Sequence, residues 1–263
     1  MSRSRFHKIT GDLAATRRML GLPSAIRYLG AMALRAPQIM RTGNLQPADR
    51  LMDRGELTYR HPAATVRLPG KDFSGAREIY LRDVYGMAGT LKVADGGLIV
   101  DLGANLGHFT VLALCSNPTV RAIAVEAAGD FAKPFHETMK RNGVANRFQL
   151  CRAFIGSEGE LQREVSKDPR YRDAEWIEEA AFIERYGITE IDLLKIDIEG
   201  SEYAFLDPSS RLLDMARQLA LEVHGFAGDA KAFIASVEQK GFRIASIDWE
   251  GDCCIALATR DPA

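Results

Sequence analysis

Four stretches of the chain place charged residues where an apolar run ends, and their spacing suggests chemistry. The first is Val100-Asp101-Leu102-Gly103-Ala104-Asn105-Leu106-Gly107-His108-Phe109: an apolar run, an acid, then a glycine-rich turn. The second is Ala124-Val125-Glu126, whose acid falls 19 residues after Gly107. The third, Leu193-Leu194-Lys195-Ile196-Asp197-Ile198-Glu199-Gly200-Ser201-Glu202, carries Lys195 and Asp197 inside an apolar strand. Burying such charges is costly unless they are paired or line a site. The fourth is Leu221-Glu222-Val223-His224. An imidazole with a pKa near its ordinary value of about 6.5 suits a general base at neutral pH.

The glycine spacing separates two kinds of ligand. Dinucleotide sites aim backbone N–H groups at a pyrophosphate, and their fingerprint is G-x-G-x-x-G. Here the pattern is G-x-x-x-G after an acid. Asp101 would repel a pyrophosphate but suits an ammonium, and Glu126 can accept both hydroxyls of a ribose. Ammonium, ribose and no phosphate describe S-adenosylmethionine. A nicotinamide-dependent oxidoreductase is the poorer match. A non-catalytic S-adenosylmethionine-binding scaffold would keep Asp101 and Glu126 but have no need of the charges at 195–199.

These residues need a frame. Leu98–Leu102, Val120–Glu126, Phe148–Phe154, Ile191–Ile198 and Leu219–His224 read as strands. Leu106–Cys115, Phe131–Asn142, Ala174–Tyr186, Ser209–Arg217 and Ala230–Lys240 read as helices between or after them. Such alternation builds a mostly parallel sheet covered on both faces. Phe242–Asp248 and Cys254–Thr259 are joined too closely for a helix, so they form an antiparallel hairpin. The first 56 residues read as helical, 58–70 as a short hairpin and 75–94 as helical again. The expected division is a basic helical extension over 1–57 and a catalytic domain over 58–263.

Charge is divided unevenly. The net charge is -1, yet residues 1–60 hold eleven Lys and Arg against four acids, leaving them near +7. A basic lobe on an acidic body suggests an anionic partner, such as a phosphorylated or lipid-linked acceptor or a membrane surface, with no sign of a nucleic-acid binder. The four cysteines include no C-x-x-C pair, which suggests a reducing compartment and no zinc site. The longest early apolar stretch is shorter than the ~20 residues of a membrane span, so the expected location is cytoplasmic.

Taken in order, Val-Asp-Leu-Gly-Ala-Asn-Leu-Gly-His-Phe, Leu-Leu-Lys-Ile-Asp-Ile-Glu-Gly-Ser-Glu and Leu-Glu-Val-His resemble the FkbM-type methyltransferases from about Val66 to Ala258. The resemblance implies an α/β class I methyltransferase fold: a Rossmann-like, seven-stranded, mostly parallel sheet with an antiparallel C-terminal hairpin. It implies methyl transfer from S-adenosylmethionine to a hydroxyl of a carbohydrate, polyketide or other small molecule. The cofactor would lie along Asp101, Gly103, Ala104, Asn105, Gly107 and Phe109, with Glu126, Ala127, Phe154 and Asp197 completing its site. His224 is the expected base and Asp197 its alternative, with Glu199 and Lys195 orienting the acceptor. Asp197 and Glu199 could also ligate Mg²⁺ as hard oxygen donors, although no complete metal shell is legible.

Overall fold

In the computed structural model, which describes residues 3–156, 163, 167–207 and 210–260, glycine and proline cut the basic N-terminal stretch into four helices. These are α1 (Arg3–Leu20), α2 (Leu22–Leu34), α3 (Ala36–Thr42) and α4 (Gln46–Asp49). Gly21 breaks the first two at φ 89°, a conformation that favours glycine. Pro37 sits in the first turn of α3, where its missing N–H costs nothing. An antiparallel hairpin follows, β1 (Glu56–Arg60) with β2 (Thr65–Pro69). Helix α5 (Phe73–Ala76) is capped by the Asp72 side chain and runs on as a wider π-type turn over Arg77–Leu81.

The helical reading of 75–94 therefore holds only to Leu81. Asp83 at φ 52°, Gly86 at 67° and Gly89 at 152° cannot continue a helix. By compactness the chain divides into Met1–Val84 and Tyr85–Ala263. The hairpin lies in the first unit, because β1 packs on α1, so the boundary falls later than residue 57.

The second unit is built on a seven-stranded sheet: β3 (Leu98–Leu102), β4 (Arg121–Val125), β5 (Phe148–Cys151), β8 (Leu193–Ile196), β9 (Gln218–Val223), β10 (Arg243–Glu250) and β11 (Cys253–Thr259). The spatial order is β10-β11-β9-β8-β3-β4-β5. Pairs from β5 through β9 are parallel, while β11 runs antiparallel to β9 and β10. This is the class I methyltransferase sheet that the sequence predicts. Its central strands are short apolar runs buried on both faces, as parallel strands under helices must be. Helix α6 (His108–Ser116) is buried from His108 to Leu114. A Cβ on Gly107 would lie 2.7–2.8 Å from Met139 and Phe135 of α7 (Gly129–Arg141), so α6 begins directly against that helix.

Three sequence-level elements differ. The expected third strand is interrupted at Arg152, and its end becomes β6 (Ala153–Ile155), which pairs with β7 (Glu175–Ile177) in a separate two-stranded sheet. The helix expected from Ala174 therefore starts only at Glu179, as α8 (Glu179–Tyr186). The helix expected over Ser209–Arg217 shrinks to α9 (Leu212–Met215), and residue 209 lies outside the described residues. Helix α10 (Ala230–Gln239) agrees with its expectation to within a residue. No helix among the described residues is long and apolar enough to cross a membrane.

Candidate active site

At the carboxyl ends of β3, β4 and β8 lies a cavity of about 400 Å³. That falls in the range of small-molecule sites, roughly 300–1,000 Å³, and at the edge where open α/β sheets bind ligands. Gly103, Asn105, Glu126, Ala127, Phe154, Asp197 and Glu199 all line it. Seven of the expected site residues therefore meet in one space.

Each is positioned by local physics. Gly103 sits at φ 80°, and a Cβ there would lie 1.7 Å from the Asp197 carbonyl oxygen, so only glycine lets the β3 turn pass beside β8. Asn105 (φ 48°) and Glu199 (φ 53°) are two of the three non-glycine residues with positive φ among those described. Backbone strain of this kind gathers at ligand sites. The Asn105 N–H donates to Glu126 Oε2 at 2.8 Å and the Ala128 N–H to Oε1 at 2.7 Å, fixing the carboxylate. Burial raises the Glu126 pKa, and the two backbone bonds offset this only in part. Phe154 stacks on Trp176 at 4.5 Å and 17°.

Other expected residues lie behind the cavity wall. Asp101 is fully buried, 3.1 Å from Lys195 Nζ, and accepts a 2.5 Å hydrogen bond from Thr110. It is an internal counterion and does not face the cavity, so the ammonium role expected of it does not fit. Ala104, Gly107 and Phe109 are likewise absent from the lining. Phe109 instead meets the edge of Tyr85.

Lys195 stands opposite Asp101 in the β3–β8 register. Its ammonium donates to the Gly103 carbonyl at 2.9 Å and lies 3.5 Å from Asp197 Oδ2. Burial pulls the Lys195 pKa down, but Asp101 and Asp197 more than restore it, leaving it above the ordinary lysine value. Lys195 thus ties the glycine turn to Asp197 and cannot orient an acceptor. Asp197 also accepts from the Tyr85 hydroxyl at 2.9 Å.

His224 directly follows β9 beside this group, but its protonation differs from the expectation. Its Nδ1 lies 2.9 Å from Oε1 of the fully buried Glu202, and its Nε2 lies 3.6 Å from Glu199 and 3.9 Å from Glu222. The hydrogen bond to Glu202 raises the His224 pKa to about 9, opposed by burial and aided by the neighbouring carboxylates. A pKa raised this way favours the imidazolium at neutral pH, which argues against the general-base role expected of His224. Glu202 itself is fixed by the N–H groups of Ile198 and Gly200, both at 3.1 Å.

Sequence reasoning missed Arg170 and Tyr171, which line the cavity from a 3₁₀ turn over Pro169–Tyr171. A signal existed, since Asp168 before Pro169 is a helix-start pair, and Asp168 does cap the turn. Asp197, Glu199 and His224 each offer one ligand atom, all within 4.8 Å of one another.

The chain resembles the solved structures of precorrin-6y C5,15-methyltransferase from Geobacter metallireducens GS-15 and a ribosomal protein L11 methylase from Lactobacillus delbrueckii subsp. bulgaricus. Each is 13% identical with a TM-score of 0.43; each match covers 69% of this chain, and 87% and 76% of theirs. No curated protein matches the chain. The methyltransferase FkbM domain matches residues 101–244, more than half of the 263-residue chain. The protein belongs to the FkbM methyltransferase family and is an S-adenosylmethionine-dependent methyltransferase.

Proposed function

We propose that the protein methylates a hydroxyl of a neutral, polar small molecule or glycan. The observation that carries this reading is a single cavity with Glu126 at one part of its wall and the Asp197–Glu199 pair at another. S-adenosylmethionine, when bound, supplies a methyl group already activated by the sulfonium charge.

The chain's residues fit that cofactor. Glu126 offers its remaining lone pairs to the ribose diol, and Phe154 gives the adenine an apolar surface. Asp197 takes over the ammonium role that Asp101 cannot fill. Glu199 is the proton acceptor for the hydroxyl, its side chain 83% exposed and therefore open to an entering acceptor. His224 holds it in place as a cation. A mouth rich in carboxylates disfavours an anionic acceptor.

The test is radiolabelled methyl transfer to a panel of polyols and glycans, with cofactor affinity measured by calorimetry. Glu199→Gln should cut turnover by about 10²–10⁴-fold, the usual contribution of a general base, and leave cofactor affinity nearly unchanged. Asp197→Asn should weaken both. Full turnover in Glu199→Gln would dismiss this base. Cofactor binding without transfer to any hydroxyl would overturn the O-methylation reading.

A second reading rests on the 4.8 Å cluster. Glu202 at Nδ1 is the partner that a metal-bound histidine has. Asp197, Glu199 and His224 would then hold a divalent cation that binds the acceptor oxygen. Loss of turnover on chelation, restored by Mg²⁺ or Mn²⁺, supports this reading over the metal-free one.

A further inference from the structure

The N-terminal unit carries a feature that methyl transfer does not use. Five of the eight large hydrophobic side chains exposed among the described residues fall between Leu22 and Met40: Leu22 (54%), Ile26 (61%), Leu29 (55%), Leu34 (70%) and Met40 (82%). On α2, Leu22, Ile26, Leu29 and the exposed Ala33 recur at helical spacing and form one stripe. The opposite face of α2, with Ala25, Tyr28 and Met32, is already buried in the unit. This helix is apolar on both faces, yet one of them meets water.

The charges around the stripe have one sign. From Leu13 to Ala48 the chain contains Arg17, Arg18, Arg27, Arg35 and Arg41 and no acid. Arg17, Arg18 and Arg41 are exposed. The flanking acids, Asp12 and Asp49, are buried and paired with Arg77 and Arg82. Nothing anionic on this segment offsets the arginines at the surface.

We infer that α2 docks in the interface of an anionic lipid bilayer. An exposed apolar stripe on a segment whose charged residues are all arginine is the pattern of a helix lying in the headgroup plane. At 13 residues it is about 20 Å long, too short to cross a hydrocarbon core of about 30 Å. A second copy is the poorer occupant, because pairing this segment with itself would bring together arginines of both copies with no acid of the segment to offset them.

The test uses the full chain and sedimentation with vesicles of phosphatidylcholine alone or mixed with phosphatidylglycerol. The protein should sediment with the mixed vesicles, less with the neutral ones, and less again as salt rises. Ile26→Glu and Leu29→Glu should each weaken vesicle binding about tenfold or more. Both should leave thermal unfolding and S-adenosylmethionine affinity unchanged, since the side chains are exposed. Three results overturn the inference. One is failure to bind mixed vesicles. Another is binding that salt abolishes but the glutamates do not touch, which is adhesion by arginine alone. The third is a dimer in sedimentation velocity that Ile26→Glu turns into a monomer, which makes the occupant a second copy. None of these depends on the methyl acceptor, so failure here leaves the proposed function standing.

Discussion

In the N-terminal unit, the buried acids Asp12 and Asp49 face Arg77 and Arg82, with the half-exposed Glu78 at the rim against Arg77. At the strand ends of the second unit, Lys195 and His224 face Asp101, Asp197, Glu199, Glu202 and Glu222. The buried acids of the first group are matched one to one by its cations. Arg82 grips Asp12 through two N–H groups, at 2.9 and 2.8 Å, and the buried Tyr28 donates to Asp49 at 2.7 Å. The second group has more carboxylates than cations, and two of its carboxylates line a cavity. A cluster matched in this way stabilises the fold. A cluster with surplus charge is held ready for a cation from outside, and S-adenosylmethionine carries two positive groups.

Arg77→Met is the strongest test of this contrast. It leaves Asp12 and Asp49 buried with half of their counter-charge. The expected loss is about 3–5 kcal/mol of stability in urea unfolding, with unchanged cofactor affinity in the protein that remains folded. A shift in affinity without loss of stability would reverse the assignment. Glu126→Ala should do the opposite. Removing a charged acceptor costs roughly 1.5–3 kcal/mol of binding, so calorimetry should show cofactor affinity about tenfold weaker or more, with a smaller loss of stability than Arg77→Met causes. Because burial raises the Glu126 pKa, protonation should also weaken binding on acidification from above the ordinary carboxylate range.

The smallest effect belongs to His224. Its pKa rises on folding from 6.5 to about 9. Its contribution to stability is therefore fully present below pH 6.5 and is lost as the pH climbs through about 9. His224→Gln should remove that decline from melting temperatures measured across this window. An identical decline in the variant would show that another group titrates there.

The sequence made the parallel strands legible because Leu98–Leu102 and Leu193–Ile196 are apolar runs long enough to span the sheet. It hid β6 and β7 because each is three residues long. In Glu175-Trp176-Ile177-Glu178, two apolar residues between acids three apart also fit the start of a helix. The positions of Glu126, Asp197 and Glu199 were readable from motifs, but the inward direction of Asp101 was not. That direction depends on a register with Lys195 which no local pattern contains. The same gap explains His224: its neighbours Glu202 and Glu222 were visible as letters, while their convergence on one ring arises from the 3₁₀ turn over Glu202–Leu206 lying beside β9.

The bond from Lys195 to the Gly103 carbonyl joins residues 92 positions apart, and this separation has a consequence on the ribosome. At about 5–20 residues per second, β3 is synthesised roughly 5–20 s before its central partner, and β5 roughly 2–8 s before it. For that interval the strand destined for the middle of the sheet is an edge, open to pairing with any other chain. A carboxylate on such an edge discourages that pairing. Asp101 would then be the charge that another chain meets on the nascent half-sheet until Lys195 emerges and neutralises it.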